Sequence, residues 1–371
     1  MGKSYVIDIP KLELGDVILT SEKGVVSKGV RVATLSKYSH AAIYVGGTII
    51  EATLGGVFSK NPQRLIFNSE KQVAVYRYRE PLNQTEIKSI CGYARSKVAS
   101  LYTLPEAATL RYRDLLKIPE SRKQFCSRLV ALAYSDNGID LANIRNPAYC
   151  TPKQLSLCKA FYKVNGIIRE ANEGDIEFAK TDDPNILHQK ETINWVNKVR
   201  KLVNKEGLER EYDIQSITDV DKFLRFNSEF DDKIVGYLKS EGYLTHYNFD
   251  TKRNPYRYSL ALLESAFIVR NDKDEFLNEQ LVKENNIINL YSENLDRYLH
   301  YFLSKNINYY REHCVLYINL LTGIYTRMKF VNELAVKFSY DNAANISGEY
   351  MRVAGKNIMV ANEIIGSKLG A

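Results

Sequence analysis

A chain of 371 residues with 45% hydrophobic and 26% charged residues has enough length for two domains and the balance of a soluble globular protein. The five cysteines, Cys91, Cys126, Cys150, Cys158 and Cys314, contain no Cys-x-x-Cys pair, so neither a disulfide framework nor a zinc ribbon is signalled and free thiols are expected. The net charge of +7 is unevenly placed: residues 1–170 carry 25 Lys and Arg against 14 Asp and Glu, whereas residues 171–371 carry 26 against 30. The basic front half favours an anionic substrate or surface, or docking of the acidic rear half.

The first residues, Met-Gly-Lys-Ser-Tyr-Val-Ile-Asp-Ile-Pro, lack the apolar core of a signal peptide, and Val6 fails the myristoylation pattern that Gly2 would start. No uncharged apolar run of about 18 residues follows. The expected location is the cytoplasm, or outside by a route without a cleaved signal peptide. No transmembrane segment is expected, while peripheral membrane contact stays open.

Elements are expected in this order. A strand follows Gly15-Asp16, a short helix spans Val25 to Leu35, and two alternating runs flank Gly46-Gly47. A strand at 72–78 leads to helical patterns at about 84–100 and 122–136, the second stopped by Asn137-Gly138. A last strand lies near 160–168. Polar residues at 171–184 read as a linker, and helices are expected at about 185–205, 218–240, 256–271, 274–306 and 308–338. The division is therefore 1–170, a linker at 171–184, and a mainly helical domain at 185–371. The apolar stretch Val315 to Ile324 contains Asn319 and reads as a buried helix.

The chemistry concentrates in two segments. In Tyr38-Ser39-His40-Ala41-Ala42-Ile43-Tyr44-Val45-Gly46-Gly47-Thr48-Ile49-Ile50-Glu51-Ala52-Thr53, a two-residue turn at Gly46-Gly47 sets Val45 opposite Thr48 and His40 opposite Thr53. Glu51 then lies on the face of His40, one diagonal step away, within reach of a side-chain pair. A carboxylate so placed holds an imidazole in one tautomer and stabilises its protonated form. In Gln124-Phe125-Cys126-Ser127-Arg128-Leu129-Val130, Cys126 stands at the first turn of an apolar helix. Such an end favours a thiolate and offers unpaired N–H groups to an oxyanion, with Lys123 and Arg128 adding positive field. Tyr38 beside the base is a candidate oxyanion donor, against the blander reading of a packed tyrosine. Ser39 and Ser127 are the other candidates for substrate contact.

Alone, a buried Cys or a His before a strand is more often structural; it is the combination with Glu51 that points to catalysis. Cys91 sits inside a helix, while Cys150 and Cys158 flank a Thr-Pro helix start, and structural roles suit all three. His313 and Cys314 are adjacent on a helix, where neighbouring side chains diverge, so they make a poor dyad.

These residues resemble the permuted NlpC/P60 cysteine hydrolases of the papain-like superfamily, in their YiiX/YebB-like branch. The matching features are Gly15-Asp16, Ser39-His40 before a hairpin, Glu51, and a late Phe125-Cys126-Ser127 opening a helix. Lecithin retinol acyltransferase-like proteins share this order but usually carry a second His where this chain has Glu51. The resemblance spans about residues 10–170. It implies an α+β fold, an antiparallel sheet packed with helices, here followed by the all-α domain. It also implies a thioester mechanism with Cys126 as nucleophile and His40 as base. No cofactor is expected, and the sequence is poor in candidates for metal catalysis.

Three functions follow: an amidase or peptidase, including cell-wall peptide and effector-type enzymes; a lipid ester or amide hydrolase or acyltransferase; and a non-enzymatic binding module with a helical scaffold for a protein partner. Nucleic-acid binding has little support, because the basic residues are dispersed and no reader motif or phosphate loop occurs.

Overall fold

The structure is a computed structural model that describes residues 3–21, 37–101 and 124–369. The helix expected at Val25 to Leu35, the start of the one expected at 122–136, and Lys123 lie outside the described residues. The chain divides into two compact units, Met1–Asp221 and Lys222–Ala371.

The first unit is α+β. Its strands are β1 (Tyr5–Ile7), β2 (Val17–Thr20), β3 (His40–Tyr44), β4 (Ile49–Thr53), β5 (Gly56–Lys60), β6 (Val73–Tyr78), β7 (Phe161–Lys163) and β8 (Ile168–Glu170). Among the described residues its helices are α1 (Gln84–Ser96), α2 (Cys126–Ser135), α3 (Pro152–Leu157), α4 (Glu173–Lys180) and α5 (Pro184–Lys205). Six strands form an antiparallel sheet in the order β5-β4-β3-β2-β6-β7, and β1 pairs with β8 separately.

The central strands are buried on both faces, which explains why Val17-Ile18-Leu19 is a continuous apolar run rather than an alternating one. One face, with Val17, Leu19, Ala41, Ile43 and Ile50, packs in a cluster with Ile90 and Ala94 of α1 and Leu129, Val130 and Ala133 of α2. The other, with Ile18, Ala42, Tyr44, Ile49 and Val75, is closed by Ile7, Leu12 and Ile167.

The polar run at 171–184 is a pair of helix starts instead of a linker. Asn172 caps α4 through a capping box with Asp175, and Asp183 caps α5, accepting from the Asn185 N–H with Pro184 in the first turn. The side chain of Arg64 donates to the carbonyls of Phe178 and Thr181, tying α4 to the first unit. Gln189 on α5 accepts from the Ser59 N–H at 2.6 Å and donates to the Ser59 carbonyl, closing the outer edge of β5. Arg200 donates to the carbonyl of Ala99 at 2.8 Å. The division at Asp221/Lys222 therefore falls later than the 171–184 expected from composition, and inside α6 (Ile217–Phe226).

The second unit is helical: α7 (Asp231–Ser240), α8 (Asn248–Arg253), α9 (Leu260–Ile268), and three long helices, α10 (Lys273–Ser304), α11 (Asn308–Lys337) and α12 (Asp341–Leu369). The single helix expected at 218–240 is broken by a 3-10 turn at Ser228–Phe230. Asp231 explains the start of α11, since its carboxylate accepts from the N–H groups of Asn308 and Tyr309 at 2.6 and 2.8 Å. Glu284 is fully buried between Arg257 and Arg327, with bonds of 2.7 and 2.8 Å from Arg327. No helix among the described residues is long and apolar enough to cross a membrane.

Candidate active site

The β3–β4 hairpin places the first two groups. Both turn residues are in the left-handed region, Gly46 at φ 91° and Gly47 at φ 67°, as a two-residue hairpin turn requires. Ala42 pairs with Glu51, Ile43 with Ile50, and Tyr44 with Ile49, and the Val45 N–H donates to Thr48 O at 2.9 Å. That register is the one the Gly-Gly turn dictates. His40 opens β3, and across the diagonal its Nε2 meets Glu51 Oε2 at 2.9 Å.

Helix α2 brings the third. Phe125, extended at φ −138° and ψ 162°, precedes the helix without a side-chain cap, and the first intrahelical bond runs from Leu129 N–H to Phe125 O. Cys126 therefore occupies the first helical position, where the leading N–H groups lack intrahelical acceptors. Its thiol is close enough to act on the imidazole of His40, which is 8% exposed. With Nε2 on Glu51, Nδ1 is the nitrogen available to the thiol. A metal would have to displace one of these two partners to reach the imidazole.

The electrostatics follow from burial and pairing. Burial works against a charged His40, but the hydrogen bonds and charges of Cys126 and Glu51 outweigh it and hold its proton affinity well above the ordinary histidine value of 6.5. Burial alone would push Glu51 up, yet His40, together with Lys60, holds it down from 4.5 to about 2. The arrangement favours a protonated His40 against a carboxylate that is ionised over the whole physiological range.

Lys60 gave no signal in the sequence. It ends β5, pairs in register with Ile49 and sends Nζ to Glu51 Oε1 at 3.1 Å. Only the β4–β5 register, set by a turn at Thr53 to Gly56, shows that residue 60 returns to the level of Glu51; Gly56, at φ 126° with a Cβ that would lie 2.9 Å from Ser100 O, is the position that turn demands. Thr20, the cross-strand partner of His40 on β2, is buried with a hydroxyl that makes no hydrogen bond. Thr20, His40, Glu51 and Lys60 thus form a polar row across four strands of an otherwise apolar face. They line a cavity of about 330 Å³ whose walls include Ile18, Ile49, Leu65 and Phe67. Cys126 is not among its described lining.

The remaining sequence candidates are placed as follows. Tyr38 is 4% exposed, packs edge to face on Tyr76 with centroids 6.5 Å apart, and hydrogen-bonds its hydroxyl, so it is engaged in the core cluster that also holds Cys126. The Ser39 N–H donates to Thr20 O at 2.9 Å, extending the β2–β3 ladder. The Ser127 hydroxyl donates to Cys150 O at 2.7 Å and so anchors the loop before α3. Arg128 donates to Ala148 O at 2.7 Å, with its guanidinium over the rings of Phe125 and Tyr149. Gly15-Asp16 is structural: Asp16 is 1% exposed, bound by Arg77 through two bonds of 2.8 Å. Burial raises the thiols of Cys91, Cys150 and Cys158, and pushes Cys314 up to about 12.

Residues 11–146 match the family model described as the permuted papain-like amidase enzyme, YaeF/YiiX, C92 family. The matched segment runs from before β2 to beyond α2, so it contains His40, Glu51, Lys60 and Cys126. No curated protein matches the chain.

Proposed function

We propose that the first unit is a cysteine amidase in which Cys126 is the nucleophile, His40 the general base and acid, and Glu51 the group that orients and charges His40. The observation that carries this reading is the buried His40–Glu51 pair, Nε2 to Oε2 at 2.9 Å, with Cys126 at the first turn of α2 near enough to raise the proton affinity of the same ring. The match of residues 11–146 to an amidase family supports amide substrates.

The reaction begins with the Cys126 thiolate and the His40 imidazolium. The sulfur attacks the amide carbonyl, and the new oxyanion receives the first N–H groups of α2, where the helix dipole adds to hydrogen bonding. His40 gives its proton to the departing nitrogen, the C–N bond breaks, and an acyl thioester remains. His40, now neutral, takes a proton from water; the hydroxide adds to the thioester, and the sulfur leaves as thiolate while the acid is released. Glu51 stays ionised throughout, stabilising each imidazolium. Ester hydrolysis and acyl transfer use the same groups with a different leaving group or acceptor, and the excess of basic residues in 1–170 suits an anionic substrate or lipid surface.

The test is intact-mass labelling by panels of electrophilic peptide, amide and ester probes on wild type and Cys126→Ala. Labelling that maps to Cys126 and disappears in the variant supports the reading, and preference for amide over ester probes supports amidase over lipid chemistry. Labelling absent from wild type, or retained in Cys126→Ala, overturns it.

A further inference from the structure

We propose that Lys60 is a positioning residue of this site, acting through Glu51 to set the pH range over which the thiol and imidazole exist as a charged pair. Its role in the reaction rests on the amidase reading above, but its effect on the pair does not require a substrate.

The geometry divides the Glu51 carboxylate between two cations. Oε2 meets His40 Nε2 at 2.9 Å and Oε1 accepts from Lys60 Nζ at 3.1 Å, so each oxygen has its own partner and the carboxylate cannot rotate without breaking one of them. Glu51 is 4% exposed, whereas the Lys60 side chain is about a third exposed. The backbone that carries Lys60 is fixed as well, because the Thr48 hydroxyl donates to Lys60 O at 2.9 Å and the neighbouring Ser59 is clamped on its other side by Gln189.

Two consequences follow from one positive charge. Lys60 helps keep Glu51 ionised, so the imidazolium has a full negative partner. The same charge opposes every proton in its neighbourhood, drawing both the thiol proton and the imidazolium proton off at lower pH than Glu51 alone would allow. A Cys-His-Glu set without the cation would hold its protons more tightly at both steps. The other charged groups around the row are engaged elsewhere: Arg64 with the Thr181 carbonyl and Asp183, and, on α5 packed against β5, His188 with Glu191 at 3.2 Å. Among the described groups that contact Glu51, Lys60 is the one permanent cation.

The experiment reads thiol reactivity, not turnover. Alkylation of Cys126 by iodoacetamide is followed by peptide mapping across pH for wild type, Lys60→Met, Lys60→Gln and Lys60→Arg. Removing the charge is expected to move both the acid and the alkaline limbs of the Cys126 profile to higher pH by about half a pH unit or more, alike in the Met and Gln variants, whereas Lys60→Arg stays close to wild type. Met and Gln profiles that coincide with wild type, or an Arg profile displaced as far as theirs, overturn the proposal, since the first means that the charge is not felt and the second that side-chain packing is the cause. Because iodoacetamide needs no substrate recognition, failure of the amide probes to label wild type would count against the amidase reading and leave this profile to decide Lys60 on its own.

Discussion

The two units each bury a histidine beside a cysteine, His40 near Cys126 and His313 directly before Cys314 on α11, and the two imidazoles are driven in opposite directions. His40 has a carboxylate at 2.9 Å and a thiol on the same ring, and its proton affinity rises well above 6.5. His313 has aromatic walls instead, Tyr298 and Tyr309 with centroids at 4.4 Å and Tyr243 at 5.9 Å. Its Nδ1 donates to Tyr309 O at 2.9 Å, its Nε2 makes no hydrogen bond, and burial holds its proton affinity down to about 4. Burial is therefore common to both, and what separates them is the ionised partner that only His40 has. A buried imidazole becomes a base when an ionised partner compensates its desolvation, and remains a neutral aromatic when none does.

The sharpest way to break this comparison is to remove each ring. His40→Ala is expected to lower turnover of any amide substrate by about 10³-fold, the scale of a lost general base and acid. His313→Phe, which keeps an aromatic body among the tyrosines, is expected to leave turnover within about twofold of wild type. Steady-state kinetics on the two variants, with circular dichroism to verify folding, checks both. Comparable losses in the two would erase the distinction.

A smaller effect sharpens it. Glu51→Gln keeps the shape of the side chain and removes its charge, and a carboxyl held at about 2 against 4.5 is worth on the order of 3 kcal/mol of folding stability. The sign differs for the two partners. The depressed Glu51 contributes stability that is present above 4.5 and lost as pH falls toward 2, whereas the raised His40 contributes stability that is present below 6.5 and lost as pH rises through its folded value. The stability gap between wild type and Glu51→Gln is therefore expected to be widest between about pH 4.5 and 6.5 and to narrow on either side. Urea unfolding across pH measures it, and a gap independent of pH would show that the lost interaction is not ionic.

The site was legible in the sequence to the extent that one turn could be read. Gly46-Gly47 permits a single hairpin register, and from it the His40–Glu51 diagonal follows without a structure. Cys126 was marked by an apolar helix start, a local feature. Lys60 was not legible, because its approach to Glu51 depends on the register of a second hairpin whose turn lacks so definite a signal. The helices of 185–338 were visible where large apolar residues recur. Helix α12 was not, because its buried positions are Ala343, Ser347, Ala354 and Ala361, and small residues leave no hydrophobic period. Polar residues at 171–184 suggested a linker because helix caps and linkers draw on the same Asn, Asp and Pro; the caps became distinguishable once Asn172–Asp175 and Asp183–Asn185 were seen bonded.

The most direct test of the central claim is a titration of the five histidines by NMR of the reduced protein carrying isotopically labelled imidazole, with His40→Ala and His313→Phe for assignment. His40 is expected to retain its proton well above pH 6.5 while His313 stays neutral down to about pH 4. A His40 that titrates at or below 6.5 would mean that Glu51 and Cys126 do not hold it in the charged form that the proposed chemistry requires.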